Sequence, residues 1–226
     1  MTERRNLDSH YLTEAQAQQL YVLGDAAHDF DHVRRVAHLA VQIAQTEGAD
    51  EEVVLIAAYL HDVPSEVYQH VHVATRASHH LAAAEFARQY LTAHEMAPAR
   101  VDNVVHCIEA HRFRDQTMQP QTLEAQCLYD ADKLDSMGAI GVARAFAFAG
   151  TYGNRLWTTP WPSVPPTAAK PIGADYTPVH EFVYKLRRLL ATLHTPTARQ
   201  LGEQRHQFMV QFYEQLDTEM RQVYKV

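Results

Sequence analysis

Four side chains combine metal-binding chemistry with an apolar setting: His32, His61, Asp62 and Asp132. His32 opens the segment HVRRVAHLA, on or near the face formed by Val36, Ala40 and Ile43. His61 and Asp62 close LIAAYLHD, where a carboxylate meets the negative end of a helix dipole, a penalty that a cation would reverse. Asp132 lies in LYDADKLDSMGAIG between Leu128, Ala131 and Leu134. Uncompensated polar groups are costly among apolar neighbours, so a bound ion is expected. Two imidazoles and two carboxylates suit six-coordinate Mn, Fe, Co or Ni and admit Mg or Zn. Two positions are then left for a water and a phosphoryl oxygen, the requirement for metal-assisted phosphoester hydrolysis. A His-Asp pair alone says little, since about one is expected by chance and His28-Asp29 is another. Placement carries the reading.

Around these four stand candidates for handling substrate. Lys133, next to Asp132, could neutralise charge developing on a phosphoryl group, although neighbours on a helix diverge by about 100°. Arg76, His79 and His80 lie on or before a helix start, where a phosphate could be met; a solvated helix end is the competing reading. His106 and His111 are five positions apart and diverge by about 140°, so one of them can reach the site; for His111 the residues leave a phosphate contact or a polar surface position. Arg144 in GVARAF suits either a phosphate or a structural ion pair, and Arg35 has the same two readings.

The elements that must position these groups read as helices. Thr13 and Gln16 form a capping-box pattern that opens a short helix running toward Gly24. Apolar residues from Asp31 to Glu47 recur at helical spacing, with Gly48 as the stop. Asp50, Glu51 and Glu52 place negative charge at the start of the next helix, and Pro64 ends it just beyond Asp62. Further helices are expected over about Ser78 to His94 and from Pro98 to about Arg112. The stretch from Thr122 to Ala149, interrupted by Gly138 and Gly141, is one kinked helix or two. Thr151 to Pro178 holds six prolines and two tryptophans and reads as a long irregular loop, a lid or binding loop whose Tyr152, Trp157 and Trp161 could stack on a base. Two helices follow, about Val179 to Leu193 and Pro196 to Tyr224; Leu201, Phe208, Phe212 and Leu216 in the second suit core or homodimer packing. No sustained two-residue alternation is present, so no sheet is expected.

Composition narrows the partners. A net charge of −7 argues against a nucleic-acid polymer, which needs a basic face, but not against a small anion bound through a cation. No apolar run is long enough to span a bilayer and MTERRNLDSHYL lacks a signal-like stretch, so no membrane partner and a cytoplasmic location are expected. Cys107 and Cys127, in apolar helical contexts without a C-x-x-C pair, read as buried free thiols.

The ordered pattern His32, His61-Asp62, Asp132, with DHVRRVAHLA, LIAAYLHDV and DADKLDSMGAIGVARAFA around it, resembles the HD-domain superfamily of metal-dependent phosphohydrolases, in particular its small stand-alone bacterial branch. The likeness covers about residues 25–150. It implies an all-α HD-type bundle with one divalent metal in its core; length and composition suit a single domain over residues 1–226 that also holds the additional C-terminal helices. It also implies hydrolysis of a small phosphate compound, commonly a nucleotide, as a pyrophosphohydrolase or a phosphatase. Asp132 matches the family's last ligand; Asp130 and Asp135 are its local competitors. Some branches carry a Glu three residues after the Asp of the HD pair, where this chain has Ser65, with Glu66 nearest. Two alternatives follow from the same pattern: a di-iron oxygenase, needing ligands from His106 or His111, and a non-catalytic binding module that keeps the metal as a cross-link.

Overall fold

The computed structural model describes residues 7–21, 30–64, 67, 79–112, 118–165 and 171–224; of His79 it describes the backbone alone. Nine α-helices and no strand occur among them. The helices are α1 (Glu14–Gln19), α2 (Phe30–Glu47), α3 (Glu51–Leu60), α4 (His79–Ala93), α5 (Pro98–Ala110), α6 (Leu123–Asp135), α7 (Gly138–Thr151), α8 (Pro178–Tyr184) and α9 (Pro196–Tyr224). The all-helical expectation holds, and no described helix is long and apolar enough to cross a membrane. The chain forms two compact units, residues 1–132 and 133–226, with the boundary inside α6.

In the first unit α3 is the central element, packed against α1, α2, α4 and α5. Its residues Val53 to Leu60 are all buried, as their near-continuous apolar run requires. Asp50 caps it by accepting from the amides of Glu52 and Val53. α2 presents Val33, Val36, Ala37, Ala40, Ile43 and Ala44 as one buried face. It stops at Gly48, whose φ of 81° is in the left-handed region. Pro98 fills the first turn of α5, as its missing N–H predicts. α1 opens with the expected Thr13–Gln16 capping box but ends at Gln19, short of Gly24.

A polar bracket ties the starts of three of these helices. Glu124 of α6 accepts from Asp50 N at 2.9 Å and from Asn103 of α5 at 3.0 Å, while the Arg100 guanidinium grips Asp50 and Glu52 at 2.8 Å. Burial would push the Glu124 carboxyl up, but these hydrogen bonds outweigh it and hold the group below its ordinary value. Both cysteines are free and buried as expected, and burial pushes the Cys127 thiol up to about 12.

The second unit resolves the choice over the Gly138–Gly141 region: α6 and α7 are separate helices, parted at Ser136 and Met137. A Cβ at residue 141 would collide with the Ser136 carbonyl, so glycine permits this tight reversal. The helix expected over about Val179 to Leu193 is instead α8 followed by a 3-10 turn at Leu186–Thr192. Lys185 breaks it, at φ −133° and ψ −66°, outside the helical region. α9 packs against α7 and that turn, and Phe182 stacks on Tyr213 with ring centroids 4.2 Å apart.

The proline-rich connection carries two short 3-10 turns, Trp161–Ser163 and Gly173–Asp175; its residues 166–170 lie outside the described set. Its tryptophans are engaged within this unit. The buried Asp217 carboxylate of α9 accepts from Trp157 Nε1 at 2.7 Å and from the Trp161 amide at 2.8 Å. Trp157 also stacks on Tyr224, and Trp161 meets Phe182 edge-on.

Candidate metal centre

The end of α3, the start of α2 and the last turns of α6 bring together His32, His61 and Asp132, whose ligand atoms lie within 4.8 Å of one another. His32 and His61 are buried, and Asp132 is half-buried. Asp62 joins them: its Oδ2 stands 3.5 Å from His61 Nε2 and 3.9 Å from His32 Nε2, while Asp132 Oδ1 is 3.5 Å from His32 Nε2. Neighbouring ligand atoms around an ion with bonds of about 2.1 Å would stand about 3.0 to 3.5 Å apart, so the spacing is close to that of a ligand shell.

One atom tests the fit directly. His61 Nδ1 lies 2.8 Å from the Ala58 carbonyl, a contact that only a ring N–H can satisfy, so Nδ1 carries the proton and donates. The lone pair is then on Nε2, which is buried and makes no hydrogen bond among the described residues. A buried acceptor left this way is costly; a metal bond satisfies it, and a carbonyl on the opposite ring nitrogen is the usual support of a metal-binding histidine. The nitrogen and oxygen donors therefore fit a divalent ion.

The same local geometry recurs at the end of α5. His111 is buried, its Nδ1 is 2.6 Å from the Ile108 carbonyl, and its Nε2 is 3.7 Å from Asp62 Oδ1. Its ring is edge-on to His61 with centroids 5.1 Å apart. Of the two α5 histidines, His111 is the one that turns toward the cluster. His106 Nε2 instead accepts from the Gln121 amide at 2.9 Å.

The remaining predicted residues divide. Lys133 is buried one position beyond Asp132, the first residue of the second unit. Arg144 donates to Asp135 Oδ2 at 2.8 Å, which is the ion pair among its two expected uses. That pairing also accounts for Asp135, fully buried three residues after Asp132. Arg76, Ser65, Glu66 and His28-Asp29 lie outside the described residues, as does the His79 side chain. Two residues gain weight that spacing gave only faintly or not at all: His80 is buried with its ring 6.3 Å from His111, and Arg112 Nη1 is 3.5 Å from His80 Nδ1. The sequence signal for His80 was its place at a helix start; Arg112 carried none beyond following His111.

An all-helical core holding an ordered His, His-Asp, Asp cluster defines a class, and the comparisons agree with it. The HD domain family model matches residues 29–137. The chain belongs to the HD-domain phosphohydrolase superfamily. It is 35% identical over 198 residues to the uncharacterized protein YpgQ of Bacillus subtilis, covering 86% of this chain and 85% of that one. The crystal structure of Bacillus subtilis YpgQ in complex with ADP superposes with a TM-score of 0.66 at 31% identity, covering 91% of this chain and 92% of that one. An HD-superfamily hydrolase from Bacillus thuringiensis gives 0.66 at 27% identity, covering 92% and 94%.

Proposed function

We propose that the protein is a metal-dependent phosphohydrolase acting on a nucleotide, with one divalent ion held by His32, His61, Asp62 and Asp132. The observation that carries this reading is the buried Nε2 of His61, oriented by the Ala58 carbonyl and facing two carboxylates. The ADP bound to Bacillus subtilis YpgQ supports a nucleotide as the substrate class. A bound divalent ion would supply Lewis acidity toward a phosphoryl oxygen and a water of lowered pKa. The chain's own part is positional. The Ala58 carbonyl keeps His61 in the tautomer that binds through Nε2, and the Asp62 carboxylate accepts a hydrogen bond from the attacking water and aims it. As the water oxygen bonds to phosphorus, the bond to the leaving oxygen breaks, and that oxygen departs with the electron pair. Arg76, His79 and His111 are proposed to meet the phosphate oxygens.

The test is release of phosphate and of pyrophosphate over a nucleotide panel with Mn, Co, Ni or Mg. Turnover that vanishes in Asp62→Ala supports the proposal; no turnover of any phosphate compound by the metal-loaded wild type overturns it. A second reading, a two-metal centre that could serve an oxygenase, is favoured by one observation: Asp62 has one oxygen toward His32 and His61 and the other toward His111. Elemental analysis separates the two, at one or two metals per chain.

A further inference from the structure

The last turn of α3, which leads directly into His61 and Asp62, is finished by contacts from outside the helix ladder. The final carbonyls of a helix have no amide partner within it. Here three in succession are met by other means. Ala58 O faces His61 Nδ1 at 2.8 Å, Leu60 O faces the Val63 amide at 3.5 Å, and between them Tyr59 O accepts from the Tyr21 hydroxyl at 2.8 Å. The first two partners are local. The third comes from thirty-eight positions earlier in the chain, just beyond α1.

Tyr21 is buried, and its ring also packs against Phe30, two residues before His32, with centroids 5.8 Å apart. Phe30 in turn stacks on the Tyr59 ring at 6.3 Å. One side chain thus meets α3 beside His61 and α2 beside His32. The segment that bears it is itself held in place. The buried Glu14 carboxylate accepts from Arg34 Nε of α2 at 2.6 Å, the Glu14 amide donates to Asp8 at 2.9 Å, and the Tyr59 hydroxyl donates to the Leu7 carbonyl at 2.6 Å. Burial pushes that Tyr59 hydroxyl up, which keeps it protonated and a donor.

We infer that Tyr21 is a positioning residue for the metal centre: through the Tyr59 carbonyl it holds the last turn of α3 so that His61 and Asp62 face His32 at ligand spacing. The inference rests on the proposed metal site. Tyr21 touches neither the ion nor the substrate. Ligand distances tolerate errors of only about 0.2 Å, so a last turn free to fray weakens metal binding even with every ligand present.

Calorimetric titration of Mn into the metal-free protein compares the wild type with two variants. Tyr21→Phe keeps the ring against Phe30 and removes the hydroxyl alone. Tyr90→Phe removes the hydroxyl that donates to the Tyr11 carbonyl at 3.2 Å, a hydrogen bond to the same N-terminal segment but beside no proposed ligand. Tyr21→Phe should raise the Mn Kd about tenfold, the lower end of what the outer partners of metal ligands contribute, with one ion per chain still bound at saturation. Tyr90→Phe should leave it unchanged. Turnover lost by Tyr21→Phe at low Mn should return at saturating Mn; a loss that persists overturns the inference. So does an unchanged Kd in Tyr21→Phe or an equal rise in Tyr90→Phe, and either leaves the proposed site standing. A wild type that binds no Mn removes the site and the inference together. Mn binding that depends on Tyr21 in a protein without turnover keeps the inference and removes the hydrolase reading. Should Tyr21→Phe be too unstable to titrate, the rise in Tm on adding Mn makes the same comparison: it should be smaller than wild type in Tyr21→Phe and full in Tyr90→Phe, and an equal rise in all three overturns the inference.

Discussion

Buried polar groups are used in opposite ways in the two units. In the second, Asp217 is saturated by an indole and an amide, Asp135 by Arg144, and Thr177 by His180 in a capping box. These groups hold the chain to itself. In the first, His61 is fixed through one ring nitrogen while the other is left facing carboxylates at 3.5 Å and beyond. Burial alone does not mark a site, and neither does a single unsatisfied atom: His206 Nδ1 in the second unit is also buried without a hydrogen bond, but it belongs to no cluster of ligand-type side chains among the described residues. Convergence of several oriented donors distinguishes the first unit.

The contrast can be broken by paired substitutions. Asp62→Ala should reduce phosphohydrolysis by about a thousandfold or more, since a ligand and a water-orienting group are lost together, while the protein stays folded by circular dichroism. Asp217→Ala should do the opposite, costing about 2 kcal/mol in denaturant unfolding because two part-buried donors lose their acceptor. The reverse pattern, with Asp62→Ala unfolding and Asp217→Ala losing only activity, would exchange the roles assigned to the two units.

Acid should sharpen the same contrast with smaller effects. Burial lowers His180 below its ordinary 6.5, with Asp175 opposing, so the stability it lends is complete above about pH 6.5 and is lost as pH falls through the lower folded value. Glu124 is also held below its ordinary 4.5, so its contribution is complete above that value and fades only as pH falls further. Trp157 and Trp161 both report on the second unit, and their fluorescence should change at a higher pH than the loss of helicity attributable to the Glu124 bracket. In Glu124→Gln the deficit, about 1 kcal/mol near neutrality, should shrink below pH 4.5. A deficit that grows on acidification would contradict the sign.

Much of this was legible in the residues. The periodicity of α2, the charged start of α3 and the proline of α5 mark helices by local physics, and the four proposed ligands stood out as polar groups in apolar runs, with the resemblance to the family pattern selecting Asp132 over Asp130 and Asp135. What escaped was non-local. Nothing in the order Asp132 to Asp135 says that the latter is claimed by Arg144, nor does spacing reveal that Arg112 meets His80, thirty-two positions earlier in the chain. The break at Lys185 is also silent in sequence, because LRRLLAT has ordinary helix-forming composition.

The most direct measurement is an anomalous diffraction map of crystals grown with Mn. The proposed centre predicts one strong peak bonded at about 2.0 to 2.3 Å to His32 Nε2, His61 Nε2, Asp62 and Asp132. A peak that omits Asp132, or manganese bound elsewhere with His61 Nε2 facing no ion, would contradict it.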